Sequence, residues 1–425
     1  MPTDWPTRSL EDCMGAIIDY RGKSPEKTTF GIPLVTAKII KSGRIEKPEE
    51  FIAEPDYETW MRRGIPQKGD VVMTTEAPLG EVAQLDDQKV ALAQRVITLR
   101  GKADVLDNTF LKFLLQWEPI QEQLRARSTG TTVLGIRQSE LRKVSLPVPP
   151  LAEQKAIAAV LGALDDKIEL NRRMNATLEA IARTLFQSWF VDFDPVRAKL
   201  DGRQPTGLDP ATAALFPSEL EDSELGPIPK GWKVLPLPEA IAVNPTRRLQ
   251  PGTVASYLDM KNMPTQGHCP DEVIQREFTS GTKFQNGDTL LARITSCLEN
   301  GKTAFVDFLA DGEIGWGSTE YIVFAPKPPL PPQFGYLLAR SDSVRAHAIQ
   351  NMTGTSGRQR VPPECFSTYT LVVPPAAIAI RFGEITAPFF TTIKSNTAQS
   401  RTLASFRDTL APKILSGEIR VSYEC

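Results

Sequence analysis

Apolar residues along the chain fall into one long run of heptad spacing. Ile157, Leu161, Leu164, Ile168, Asn171, Asn175, Leu178, Ala182, Leu185 and Trp189 are separated alternately by four and three residues. That is the seam of a helix that packs against a second helix. The run begins directly after Pro149-Pro150, and proline is tolerated in the first turn of a helix but not in its interior. A helix over residues 151–190 is predicted, rising on the order of 60 Å at about 1.5 Å per residue. A weaker seam of the same spacing runs through Phe382, Thr386, Phe389, Ile393, Asn396, Ser400, Leu403, Arg407, Leu410 and Ile414. There Pro388 is expected to kink the helix or delay its start, and Pro412 to end its regular part. Asn171 matches Asn396 between the two seams. Such a polar seam residue either pins register at a cost in stability or occupies a tolerated, half-exposed position.

The text before each seam is also repeated. Thr129-Gly130-Thr131-Thr132 leads through Leu146-Pro147-Val148-Pro149-Pro150 into the first seam, and Thr353-Gly354-Thr355-Ser356 leads through Leu371-Val372-Val373-Pro374-Pro375 into the second. Trp5 matches Trp232, Leu10 matches Leu237, and Gly69-Asp70 matches Gly287-Asp288. The chain is a tandem duplication, a pseudo-twofold object that suits a target with two parts. In the front half of each repeat, β-like runs such as 69–74 and 95–99, or 287–291 and 321–324, alternate with a helical stretch at 109–127 or 332–350. The fold class is α+β: two homologous mixed α/β domains separated by two long helices that form an antiparallel coiled coil. The expected boundaries are 1–148, a first helix over 149–193, a linker over 194–230, a second domain over 231–373, and a second helix and tail over 374–425. The linker is rich in proline, glycine and acids, with one short helix expected near 211–215.

Composition adds exclusions. At 425 residues the chain has room for two or three cores. No stretch approaches the about 18 consecutive apolar residues of a membrane span, and the start lacks a charged-then-apolar signal, so a cytoplasmic chain is expected. Five cysteines are scattered without a C-x-x-C pair and there are two histidines, so no zinc spacing can be assembled and no metal is expected. The neighbours His268-Cys269, followed by Pro270, read as a surface turn. Net charge is -2, without the basic excess usual in a free-standing nucleic-acid binder. Local charge reads differently. Arg125, Arg127, Arg137, Arg142 and Lys143 are set against only Glu122 and Glu140, while Arg340, Arg345, Arg358 and Arg360 are set against only Asp342 and Glu364. Basic patches recurring at matching positions point to phosphate contact.

Catalytic motifs fail one by one. Gly301-Lys302-Thr303 ends like a nucleotide-binding loop, but position 296 is Ser where the first glycine belongs. Gly315-Trp316-Gly317 is followed by Glu320 instead of the third glycine of a dinucleotide fingerprint. Asn244-Pro245-Thr246 and Asp194-Pro195-Val196 lack the second proline and the aromatic of an amino-methyltransferase. Pro270-Asp271-Glu272 lacks the following lysine of a nuclease, and two histidines support no triad. No catalytic residue is expected.

The wording closely resembles one family, the specificity (S) subunits of type I restriction-modification enzymes. The residues that carry it are Leu146 to Ile157, Asp165-Asp166-Lys167-Ile168-Glu169-Leu170-Asn171, Ile181 to Phe193, and Ile228-Pro229-Lys230-Gly231-Trp232. The resemblance implies two target recognition domains, each reading one half of a split double-stranded DNA sequence. It also implies that the two helices set the unspecified spacer and dock methyltransferase subunits, two in number, with motor-nuclease subunits joining through the complex. S-adenosylmethionine, ATP and Mg would then belong to those partners and not to this chain. The second helix departs from the pattern: Ala376-Ala377-Ile378-Ala379-Ile380 stands where the first has Leu151-Ala152-Glu153-Gln154-Lys155. A methyltransferase contact made by the Glu153-Gln154 pair would have no second copy.

The candidate DNA-binding residues are Thr131, Thr132, Arg137 and Gln138 in the first repeat, and Thr355, Ser356, Arg358 and Arg360 in the second. They combine hydroxyls and guanidinium groups able to hold phosphates and read base edges. A rival reading is a non-catalytic coiled-coil adaptor whose globular domains bind protein partners. The near-neutral total charge favours that reading, and the paired basic loops count against it.

Overall fold

Each half of the chain builds its central sheet in the same strand order. In the first, Met14–Asp19, Val96–Gly101, Val71–Thr75 and Leu79–Gln84 lie side by side and antiparallel. In the second, Ile241–Val243, Tyr321–Pro326, Thr289–Ala292 and Thr303–Phe305 do the same. The strands Val71–Thr75 and Thr289–Ala292 are buried at every position. Both of their faces are covered, so neither strand alternates buried with exposed positions. A parallel pair flanks each sheet, Ile32–Val35 with Ala91–Leu92 and Val254–Leu258 with Gly315–Gly317. A closing antiparallel pair joins the start and end of each domain, Thr7–Ser9 with Ser145–Pro147 and Lys233–Pro236 with Thr370–Val373.

The computed structural model describes residues 5–20, 24–355 and 357–422. It divides into two units, one formed by Met1–Ile168 with Arg401–Cys425 and the other by Glu169–Ser400. The division cuts across both long helices, Leu151–Phe190 and Ala376–Leu415. Each unit therefore contains a globular domain and a stretch of antiparallel helix pair. None of the described helices is long and apolar enough to cross a membrane.

In the first unit, Ile157 and Leu161 share a buried cluster with Ile414, Leu415, Leu146 and Leu141, with Leu410 packed against it. Asp165 holds Lys112 at 2.5 Å and Arg407 at 2.6 Å, tying domain, first helix and second helix together. Leu164, Ile168 and Leu403 are half-buried. The second unit packs Phe186, Trp189 and Phe190 around Phe382, the Phe190 ring lying 4.8 Å from it edge-to-face. Leu178 and Leu185 are half-buried there, as is Phe389, whereas Ile393 and Phe390 are buried. Toward the unit boundary the helix pair turns polar. Asn171 donates to Gln399 Oε1 at 2.8 Å and Asn396 donates to Asn175 Oδ1 at 2.9 Å.

Four expectations need correction. The second long helix is continuous from Ala376 to Leu415, and neither Pro388 nor Pro412 ends it. Both prolines are exposed, so the carbonyl each leaves without an amide partner faces solvent, where water can satisfy it. The predicted helix over 109–127 is two helices, Asn108–Gln116 and Glu118–Ala126, broken at Trp117 just before Pro119 enters the second. The stretch 332–350 likewise divides where Ser341 caps Asp342–Gln350 by accepting from the Val344 amide. His268 is no surface turn: it is fully buried, its Nε2 lies 3.1 Å from Asp307 Oδ2, and its ring stacks on Phe390 at 4.8 Å.

The segment between the halves is more ordered than its composition implies. It carries the helices Asp194–Leu200 and Pro210–Leu215 and a hairpin of Leu220–Ser223 with Gly226–Pro229. Phe193, Val196, Phe216 and Ile228 anchor it in the second unit's core, and these few apolar residues outweigh the surrounding polar ones.

Candidate nucleic-acid interface

The Gly-Asp pair found in both repeats fixes a turn under the central strand. Asp70 accepts from the Gln67 amide at 2.8 Å and from Arg100 Nε and Nη2 at 2.7 Å each. Asp288 accepts from the Gln285 amide at 2.8 Å and from Arg247 Nε at 2.9 Å and Nη2 at 2.5 Å. These two-pronged bonds are the strong form of an arginine–carboxylate contact. The carboxylates are equivalent and the arginines are not, since Arg100 comes from a strand after Asp70 and Arg247 from a loop before Asp288.

Beyond the far end of that strand each unit builds the same loop frame. In the first, the Thr75 amide donates to the Arg95 carbonyl at 2.8 Å, and the Ile136 amide donates to the Thr75 carbonyl at 3.0 Å. Thr129 and Gly135 exchange both backbone bonds at 2.9 Å. In the second, Arg293 donates to the Glu320 carbonyl at 3.0 Å, and Val361 donates to the Arg293 carbonyl at 2.8 Å. Thr353 and Arg360 exchange bonds at 3.0 and 2.8 Å. Residue by residue, Thr75, Arg95, Thr129, Gly135 and Ile136 match Arg293, Glu320, Thr353, Arg360 and Val361. The Thr-Gly-Thr motif opens the loop that this frame closes. Its glycines need their identity: Gly130 at φ 112° and Gly354 at φ 121° lie where side chains are rarely found, and a Cβ on Gly130 would collide with the Val133 carbonyl.

Thr131, Thr132 and Thr355 lie on exposed loop and Gln138 is half-buried at the start of a short helix; Ser356 falls outside the described residues. Arg137 and Arg358 are exposed, and neither forms an ion pair among the described residues. Arg360 is bound along its side edge by Glu320, with Nε 2.8 Å from Oε1 and 3.0 Å from Oε2, and Nη2 2.7 Å from Oε1.

The basic patches are more neutral than their sequence neighbourhoods imply. Arg125 is paired with Glu118, Arg142 with Glu11 at 2.6 Å, Arg127 with Glu140 at 3.7 Å and Lys143 with Glu140 at 2.7 Å. The hydrogen bond from Lys143 is the main influence holding the Glu140 carboxyl below its ordinary range. Arg340 is a structural pin, donating to the carbonyls of Thr265, Gly301, Gly267 and Thr303 at 2.6 to 2.9 Å. Arg345 is held by Asp342 at 2.9 Å. Of these patch cations, Arg137 and Arg358 form no ion pair among the described residues, one per unit at the rim of each loop, though Arg137 is near enough to Glu140 to help hold that carboxyl low.

Glu153 and Gln154 are internal to the first unit. Glu153 is paired with Arg420 at 2.7 Å, and Gln154 donates to the Val105 and Pro149 carbonyls and accepts from the Asp107 amide. Both are buried, so this pair joins the helix to its own domain.

Residues 2–180 match the family described as the type I restriction modification DNA specificity domain. The chain is 25% identical to the type I restriction enzyme MjaIX specificity subunit of Methanocaldococcus jannaschii, across 99% of this chain and 95% of that one. It is 24% identical to the type I restriction enzyme HindI specificity subunit of Haemophilus influenzae, across 83% and 87%. Among solved structures, the type I restriction-modification system S subunit from M. genitalium superposes with a TM-score of 0.56 at 16% identity, covering 97% of this chain and 96% of that one. The two share a fold.

Proposed function

We propose that the chain is a type I restriction-modification DNA specificity subunit, the DNA-reading, non-catalytic member of such a complex, a reading supported by the family match over residues 2–180 and the relatives similar along nearly the whole chain. Each unit reads one half of a split duplex site, the paired helices set the spacer between halves, and methyltransferase and motor-nuclease subunits supply the chemistry. On this reading S-adenosylmethionine, ATP and Mg are bound by those partners. The observation that carries it is the recurrence, residue by residue, of one hydrogen-bonded loop frame in both units, each with an exposed arginine at its rim that forms no ion pair among the described residues. One frame with different side chains is what reading two different half-sites requires, because the backbone positions the loop while side chains meet base edges. Arg137 and Arg358 hold phosphates; Thr131, Thr132, Gln138 and Thr355 stand close enough in the loops to contact backbone or bases.

The test is methylome sequencing of cells carrying this chain with its methyltransferase partner and of matched cells lacking it. A methylated motif of two fixed blocks around an unspecified spacer, present only with this chain, is the expected result. Unchanged methylation together with a stable protein complex would instead establish the adaptor reading.

A further inference from the structure

In each unit one arginine of the loop frame is braced by a carboxylate from the same frame, and the two units place that arginine at different positions. The second unit has Arg360 on the loop and Glu320 on the strand turn. The first has Gly135 where Arg360 stands and Arg95 where Glu320 stands, with the acid supplied by Glu76, which meets Arg95 Nη2 in a single, looser contact of 3.4 Å with the side chains 50% and 43% exposed. Arg95 adopts φ 72°, a left-handed conformation that costs an arginine about 1–2 kcal/mol. Glycine would meet the needs of the turn at lower cost, so the side chain at this position is not explained by the fold.

The brace on Arg360 determines which donors stay available. Glu320 takes the edge formed by Nε and Nη2, and the Arg358 carbonyl lies 3.4 Å from Nη1. A guanidinium has five N–H groups in a fixed plane, so the outward end of Nη1 and Nη2 remains as a pair of parallel donors. The side chain is 44% exposed against 22% for Glu320, which puts the acid beneath and the cation outward. Two parallel donors in a rigid plane match the adjacent O6 and N7 acceptors of guanine in the major groove, and no other base edge there offers two acceptors side by side. A phosphate could accept the same pair, but a carboxylate partner lowers the net positive charge that phosphate binding draws on while leaving the donor geometry intact.

We propose that Arg360 braced by Glu320, and Arg95 braced by Glu76, each read one guanine, giving one arginine-read guanine in each half of the site. This rests on the DNA-reading function proposed above. Glu320 and Glu76 are positioning residues.

The experiment is selection of a duplex oligonucleotide library, randomised over the site, by the full chain assembled with its methyltransferase partner. The wild-type assembly is expected to select two blocks, each with a fixed guanine. Arg360→Lys should lose preference for the guanine of one block by about 5- to 150-fold and leave the other block intact; Arg95→Lys should do the converse. Glu320→Gln keeps the arginine but loosens its plane. It should blur the same single column as Arg360→Lys while binding to fully random DNA is kept or strengthened, a pattern that general loss of fold cannot produce. Unaltered guanine columns in both lysine variants, or loss spread evenly over both blocks, would overturn the proposal. If the wild-type assembly selects no split site at all, the function proposed above fails with it; if it selects one and the columns do not move, only the braced arginines fail.

Discussion

Asn171 donates to Gln399 Oε1 at 2.8 Å and to Ser400 Oγ at 3.2 Å, while its own buried Oδ1 accepts from no described group. Asn175, one turn on, is better served: its Oδ1 accepts from Asn396 Nδ2 at 2.9 Å and its Nδ2 donates to Thr397 Oγ1 at 3.2 Å. The two layers therefore predict opposite signs. Asn171→Leu removes an unpaired buried oxygen and is expected to raise the melting temperature, whereas Asn396→Leu strips Asn175 of its donor and should cost about 1–3 kcal/mol. Thermal melts of the two variants decide it, and equal effects would count against the layer assignment.

The buried Asp70 and Asp288 are 1% and 2% exposed. Asp70→Ala leaves Arg100 and the Gln67 amide without their acceptor, and Asp288→Ala does the same to Arg247 and the Gln285 amide. Breaking a buried pair from one side costs about 3–5 kcal/mol. Limited proteolysis should show each variant weakening its own unit first, with cleavage confined to residues 5–168 and 401–422 for Asp70→Ala and to 169–400 for Asp288→Ala.

His268 gives a pH dependence whose sign follows from its surroundings. Burial is the largest influence and opposes its charge, but hydrogen bonds to Asp307 and Cys269, with the attraction of both groups, together outweigh it and lift the imidazole from 6.5 to about 9. The folded value lies above the unfolded one, so the stabilisation is complete below pH about 6.5 and is lost as pH rises through about 9. Melting temperature should fall over that window, with a loss of stability on the order of 3 kcal/mol. His268→Gln should remove this part of the pH dependence; an unchanged profile would falsify the charged pair.

Arg137 and Arg358 stand at the loop rims and form no ion pair among the described residues. Replacing either with alanine should weaken duplex binding equally across sequences and reduce the slope of log affinity against log salt by about one. Arg125, already committed to Glu118, serves as the comparison: Arg125→Ala should leave the slope where it was. Titrations at four or five salt concentrations separate the cases.

The duplication and the first long helix were legible because each is a pattern that neighbouring residues repeat many times. What escaped the sequence depends on partners far along the chain. Arg142 looks free beside Glu140, but its acid is Glu11, 131 positions away. Asp288 looks like a turn residue until Arg247 arrives from 41 positions off. Glu153-Gln154 reads as an exposed polar pair at a helix start, yet Arg420 and the Val105 carbonyl cover it. Pro388 misled in the other direction, since whether a proline breaks a helix depends on what its freed carbonyl meets. The loop frame itself was half visible: Thr-Gly-Thr marked its opening, but the strand-turn residues Arg95 and Glu320 carry no local signal that they belong to it.

The first unit is not encoded in one piece. Ile414 and Leu415 fill its core beside Ile157 and Leu161, and Arg420 neutralises Glu153 within it. A ribosome that has finished the first 168 residues has therefore not yet delivered everything the amino-terminal reader is made from, and that reader must wait with apolar surface uncovered while the whole second unit is translated. Removing residues 414–422 would thus injure the unit that holds residues 5–168, so the part of the chain made first depends for its core on residues translated after the whole second unit.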